Sequence, residues 1–370
     1  MRVLLGMPDE KAWGGPIYCE PPFVAGLRAL GVEADEEIYI YGDSARGAAV
    51  QKRVARVLSA ARRLHRRARA KRYDVIHLNT SFDEKSVLRD LTTLQLLRSS
   101  GAPVYLKMHG SNAAFLRTKN QAWRRLQGRV FRLADAIGVL SSEERENFVR
   151  AGCPAEKLFP AKYVVEAADF RCDPNFHERH NLAPETPVLL FSARFIPAKG
   201  LLDVIAACAQ VKAAGHDFAL FCLGDGPVRG EAERLVKELQ LTENTRFFGY
   251  IPEAETAAFH ANCTAFVFPT YHDEGFPLVL LKSLAAGLPI ITTRLRGAAD
   301  YFSDPENCLW VQPQNTVQLA AKIKQLLADK DLRETMADNN RRLAQQFTAA
   351  RIAQEYMEVY RVLIQRQQTV

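Results

Sequence analysis

Residues 266–293 read FVFPTYHDEGFPLVLLKSLAAGLPIITT, an apolar run, a polar glycine loop, a helical segment and a second apolar run. The apolar run 266–268 predicts a buried parallel strand ending at Pro269. A polar loop carrying Asp273, Glu274 and Gly275 follows, and Phe276-Pro277 opens a helix with Pro277 at the first helical position, where no N–H is required. The helix ends at Gly287, and residues 289–293 return as the next strand. This is one βαβ unit with an acid-bearing glycine loop at the carboxyl end of its strand. Open α/β sheets bind ligands in such places, and a helix N-terminus there suits a phosphate. The residues alone therefore point to an anion or sugar site.

Outward from this unit the same alternation fills 370 residues, a length that suits two domains. With 48% apolar and 25% charged residues the composition is that of a globular α/β protein. The net charge of +7 is modest, so an acidic partner must be met by a local patch. The seven cysteines form no CxxC pair and sit mostly in apolar runs, which predicts reduced core thiols and a cytoplasmic protein. The N-terminal apolar run is too short for a signal peptide, and no stretch reaches the length of a membrane span.

Strands are predicted at 3–7, 73–79, 103–108, 134–141 and 158–165, then at 188–192, 218–223 and 246–249. The first ends in Trp13-Gly14-Gly15-Pro16, where paired glycines allow a tight turn or the close approach of a ligand. Residues 52–72 hold ten Lys/Arg and no acid. Val54, Val57, Leu58, Ala61 and Leu64 recur at helical spacing, with Arg53, Arg56, Arg63, Arg66 and Arg67 opposite them. That pattern predicts a basic amphipathic helix whose stripe packs on the sheet and whose arginines suit an anionic lipid surface. No aromatics interleave the charge, which argues against nucleic acid. Residues 171–187, with three prolines, read as an interdomain linker. Arg194 and Lys199 lie five apart on a strand-to-helix loop. That spacing serves two cations beside a diphosphate, or two surface charges. Residues 294–298 follow the opening βαβ unit, a place that could lie near the ligand cleft, though neither Arg294 nor Arg296 has a motif behind it.

Glu274-Gly275-Phe276-Pro277 and the helix closing on Gly287-Leu288-Pro289 resemble the signature loop of retaining glycosyltransferases of classification family 4. The resemblance covers nearly the whole chain. It implies the GT-B fold: α/β, two Rossmann-like domains facing a central cleft. Residues 1–170 would form the acceptor domain, joined by a C-terminal crossover helix at 350–370, and 171–349 the nucleotide-sugar donor domain. The implied activity is hexosyl transfer from a nucleotide-diphosphate sugar to a glycan or lipid-linked glycan, with retention of anomeric configuration.

The resemblance also carries roles to individual positions. Gly14 and Gly15 match the family's Gly-Gly loop facing the donor. His109 matches a histidine contacting the donor sugar. Arg194 and Lys199 match the pair holding its diphosphate, and Glu274 the acid that binds sugar hydroxyls. Gly224, Phe248, Gly249, Gly275, Phe276, Pro277 and Leu278 match donor-binding backbone. The family motif is Glu, seven residues, Glu, but Lys282 stands at the second position. A lysine offers donors only and cannot accept the ribose hydroxyls. It leaves three readings: ribose held by other groups, an added cation for the phosphates, or a degenerate site on a binding partner or membrane scaffold. A sugar-nucleotide 2-epimerase of the same fold lacks a specific residue in its favour. No Asp-x-Asp pair at a strand end is present, so neither metal nor cofactor is expected. The expected location is the cytoplasm, with residues 52–72 suited to a peripheral contact with the inner face of the membrane.

Overall fold

The computed structural model describes residues 1–9, 15–39 and 50–368. Among these, parallel strands form two six-stranded sheets, and their near-continuous apolar runs reflect burial on both faces. Contacts divide the chain into two units. The first is Met1–Val164 with Asp273–Phe276 and Phe347–Val370; the second is Val165–His272 with Pro277–Gln346. These borders fall a few residues before the expected 170/171 and 349/350, and the Glu274 loop is grouped with the first unit.

The first unit opens with β1 (Arg2–Met7), α1 (Pro16–Ala29), β2 (Glu33–Ile38) and α2 (Val50–Ala70). It continues with β3 (Val75–Phe82), α3 (Glu84–Leu97), β4 (Val104–Ser111), α4 (Ala113–Leu116) and α5 (Gln121–Leu133). Strand β5 (Ala136–Val139), α6 (Ser142–Arg150) and β6 (Leu158–Pro160) complete its sheet, ordered β2-β1-β3-β4-β5-β6. Side chains alternate across strands. Leu4, Ile76, Leu78, Leu106 and Met108 accordingly enter one core with residues of α2, α3, α5 and α6. The residues between them, His77, Asn79, Tyr105, Lys107 and His109, are buried on the opposite face.

The second unit begins with α7 (Phe176–Arg179), β7 (Val188–Ser192), α8 (Leu201–Ala213), β8 (Ala219–Leu223) and α9 (Arg229–Glu238). Then come β9 (Thr245–Gly249), α10 (Glu253–Asn262), β10 (Ala265–Phe268) and α11 (Leu278–Ala286). It ends with β11 (Ile290–Thr293), α12 (Arg296–Tyr301), β12 (Cys308–Val311), α13 (Thr316–Ala328) and α14 (Lys330–Ala344). The order β12-β11-β10-β7-β8-β9 reverses direction between β7 and β10, the switch point where such sheets take ligands. Helix α15 (Ala349–Gln368) returns to the first unit and packs on α1. A Cβ at Gly26 would lie 2.6 Å from the Ala349 carbonyl oxygen, so only glycine permits this approach.

Three sequence expectations need correction. Residues 171–187 do not form a bare linker. Phe176 is buried in an aromatic group with His180, Phe221 and Phe259, and the His177 ring contacts the Thr186 carbonyl, so the segment is tied into the second unit. The α2 stripe is buried at Ala61 and Leu64 but runs out at Val54, which is 52% exposed; of this helix, Leu64 and Ala68 enter the core cluster. Pro277 sits just before α11, at its N-cap in extended geometry, and the helix stops where expected, at left-handed Gly287.

Candidate functional site

In the second unit the loops leaving β7, β8, β9 and β10 converge at one sheet edge. Exposed Arg194 lies on the β7 loop, whose Ala193 and Phe195 N–H groups donate to Leu223 and Asp225. The glycine turn lies directly against this loop. A Cβ at Gly224, whose φ is +130°, would stand 1.9 Å from the Ala193 carbonyl oxygen. The Gly224 N–H donates to the Gly249 carbonyl at 2.7 Å, which joins β9 to the group. Phe248 turns its ring toward Phe221 and Phe259, at centroid distances of 4.9 and 5.0 Å, and that leaves the strand end its backbone to offer.

Lys199 is buried, with Nζ 5.3 Å from the centre of the Phe268 ring at the end of β10. The Ala198 carbonyl accepts from the Tyr271 N–H at 2.8 Å and from the Thr270 hydroxyl at 3.2 Å. Gly200, at φ +81°, closes the turn where a Cβ would meet the Pro269 carbonyl at 2.8 Å. The β7 and β10 loops are thus one clamped structure, and the structure brings Arg194, Lys199, Gly224, Phe248 and Gly249 to one edge.

Lys282 lies on α11 in the same unit. It is 9% exposed, and Nζ donates to Thr256 Oγ1 on α10 at 2.9 Å. Burial lowers its pKa to about 7, against the opposing charge of Asp169. Pro277 is buried and Leu278 half-buried at the start of this helix.

In the first unit, Glu274 is half-buried in its loop. Gly275 packs on Leu140, just past β5; a Cβ there would stand 2.6 Å from Leu140 Cδ1. Phe276 is buried against Phe347, with ring centres 6.0 Å apart. Gly15 caps α1, its carbonyl accepting from the Tyr18 and Cys19 N–H groups, while Gly14 lies outside the described residues.

His109 ends the polar face of β4, and its side chain is fully buried. Nε2–H donates to Asn79 Oδ1 at 2.8 Å, and Nδ1 faces the Tyr163 hydroxyl at 3.2 Å. Burial, then the Lys107 charge, holds this histidine well below its ordinary range, so it is neutral with both nitrogens occupied. Sequence reasoning missed its neighbours. Lys107 Nζ lies 2.6 Å from Glu20 Oε1, and both side chains are essentially without solvent. The signal was an acid in the apolar opening of α1 and a lysine inside an apolar strand. Cys19, Glu20 and His109 bring possible metal-ligand atoms within 4.8 Å, but Lys107 already neutralises the carboxylate and Asn79 holds Nε2. Buried His77 meets the Tyr360 hydroxyl of α15 through Nδ1 at 2.5 Å.

Comparison with known proteins follows the two units. Residues 22–161 match a family model described as glycosyl transferase 4-like domain, and residues 173–343 match glycosyl transferases group 1. A putative colanic acid biosynthesis glycosyltransferase of Escherichia coli is 28% identical over 52% of this chain and 47% of its own length. A GDP-mannose-dependent phosphatidylinositol monomannoside mannosyltransferase of Mycolicibacterium smegmatis is 28% identical over 53% of this chain and 54% of its own. The chain thus spans about half the length of these relatives. Among solved structures, sucrose-phosphate synthase of Thermosynechococcus elongatus aligns over 99% of both chains with a TM-score of 0.77 at 21% identity. Anabaena HepE in complex with UDP aligns over 97% of this chain and 99% of its own, with a TM-score of 0.76 at 16% identity. With a glycosyl transferase 4-like domain followed by a group 1 domain on two Rossmann-like sheets, the chain belongs to the GT-B glycosyltransferases.

Proposed function

We propose that the protein transfers a sugar from a nucleoside-diphosphate donor to a hydroxyl of a glycan or lipid-linked glycan, retaining anomeric configuration and using no metal. The observation that carries this reading is the clamped edge at β7 and β10, where Arg194 and Lys199 share a loop against the glycine turn. When the bond from the anomeric carbon to the diphosphate breaks, its electron pair leaves with the phosphate. Fixed cations stabilise that charge as it develops, with the start of α11 adding its dipole. The acceptor oxygen bonds to the anomeric carbon from the same face, and its proton passes to the leaving phosphate. Glu274 accepts hydrogen bonds from sugar hydroxyls.

His109 acts as a positioning residue for the end of β4, since both its nitrogens are engaged. Because Lys282 donates to Thr256, ribose is met by backbone around residues 248–251. The names of the relatives, which include capsular polysaccharide and lipopolysaccharide core enzymes, support a cell-surface glycan as product. A cytoplasmic enzyme meeting a lipid-linked acceptor at an anionic membrane through α2 fits this role. Among the described residues no helix is long and apolar enough to cross the membrane.

The test is turnover of nucleotide sugars by variants. Glu274→Ala and Lys199→Ala should each lower kcat/KM by about a hundredfold or more with the fold intact. Full activity in either variant contradicts the site, and a wild type that binds but never turns over favours a scaffold.

A further inference from the structure

Besides the clamped edge, the second unit has a concavity at the carboxyl ends of its strands. A cavity of about 420 Å³ opens where β11 and β12 end, within the size range of small-molecule sites. Its lining includes Arg294 and Leu295 after β11, Trp310 on β12, and Gln312, Pro313 and Gln318 beyond it. The loop is fixed by its own side chains: Gln318 Oε1 accepts from the Gln312 N–H at 2.7 Å, and Asn315 Oδ1 accepts from the Gln318 N–H at 2.9 Å. Trp310 is held from behind, its backbone N–H donating to Asp304 at 2.9 Å and its ring lying over Phe302.

What the cavity offers is one-sided. Arg294 is exposed and, among the described residues, has no ion-pair or hydrogen-bond partner. The indole N–H of Trp310, the amide of Gln312 and the amide nitrogen of Gln318 are also unengaged among the described residues. Trp310, Leu295 and Pro313 add apolar surface, and among the described residues no acidic side chain lines the space. A ring with C–H faces and hydroxyls matches an indole beside amides, because the faces pack on the aromatic surface while the hydroxyls bond to the amides. The guanidinium selects a carboxylate on that ring, which it can grip by two parallel hydrogen bonds.

We propose that this cavity is a binding site for an anionic sugar unit of the uronic acid type. Its lining shares no residue with the loops carrying Arg194 and Lys199, and its occupancy does not depend on the protein being a transferase.

The experiment titrates the 15N-labelled full chain with methyl glucuronide and with methyl glucoside, following the Trp310 indole resonance identified through Trp310→Phe. The glucuronide should give saturable shifts of that resonance, and the neutral glucoside should bind about tenfold more weakly or worse. Arg294→Gln, an exposed substitution, should weaken glucuronide binding by about tenfold or more, the worth of one charged hydrogen-bonded pair. Arg294→Lys should recover part of the loss. Absence of a saturable shift, equal binding of both sugars, or unchanged binding by Arg294→Gln each overturns the proposal. A nucleoside diphosphate titrated into the same sample reports separately on the transferase reading.

Discussion

Lys282 shows how one residue can be read correctly for what it excludes and still surprise in what it does. Three hydrogen-bond donors cannot grip ribose hydroxyls as a carboxylate would, and the structure turns the ammonium inward to Thr256. Burial drives its pKa from 10.5 to about 7. Between pH 7 and 10.5 the unfolded chain therefore holds a proton that the folded chain lacks. Stability should rise with pH across that window, and the full burial cost should be present below it. Lys282→Met should accordingly stabilise the protein at pH 6 by on the order of a few kcal/mol and flatten its stability between pH 7 and 10. Urea midpoints at pH 6, 8 and 9.5 test this; parallel curves for variant and wild type contradict it. At this scale the sequence made the substitution legible, because the position is set by Glu274 and Gly287 on either side. It could not reveal Thr256 as partner, which lies on another helix. The Glu20–Lys107 pair was hidden for the same reason: α1 and β4 meet only in the folded sheet.

Among the elements, α2 was legible in type and only partly in its contacts. Helical periodicity and a ten-cation run identify it, and Ala61 and Leu64 are buried as the stripe required. The run of arginines does not act as one surface. Arg63 donates to Glu37 at 3.0 Å, and Arg67 reaches the Glu36 carbonyl and the Glu37 carboxylate, so these two fasten the helix to β2. Arg62, Arg66 and Arg69 are exposed and, among the described residues, unpaired. If α2 meets anionic lipid, these three should carry the attraction, at about 1 kcal/mol per residue. Replacing all three with Gln should weaken binding to anionic vesicles by about a hundredfold while the melting temperature stays within a few degrees. Replacing Arg63 and Arg67 should instead lower the melting temperature. Undiminished vesicle binding by the triple variant contradicts the membrane role.

At the scale of the whole molecule, the alternation of apolar runs with helical segments was enough to define two parallel sheets. Fully buried parallel strands leave that trace in the chain, as in the runs ending at Met7 and Phe268. The order of strands is a different kind of information, since the reversal between β7 and β10 joins residues about 75 positions apart. That reversal is what places the turn of Ala198 and Lys199 against the loop of Thr270 and Tyr271. Irregular segments were least legible. The prolines of 171–187 suggested a linker, yet the burial of Phe176 among distant aromatics binds that segment to the second unit.

The proposed chemistry needs a diphosphate held at the β7–β10 edge by cations. Calorimetric titration of the intact protein with UDP, GDP, ADP and TDP, with and without magnesium, tests it most directly. One nucleotide should bind saturably, equally tightly in both conditions, and its binding should be lost in Lys199→Ala. Failure of all four to bind at millimolar concentration, or binding that requires magnesium, contradicts it.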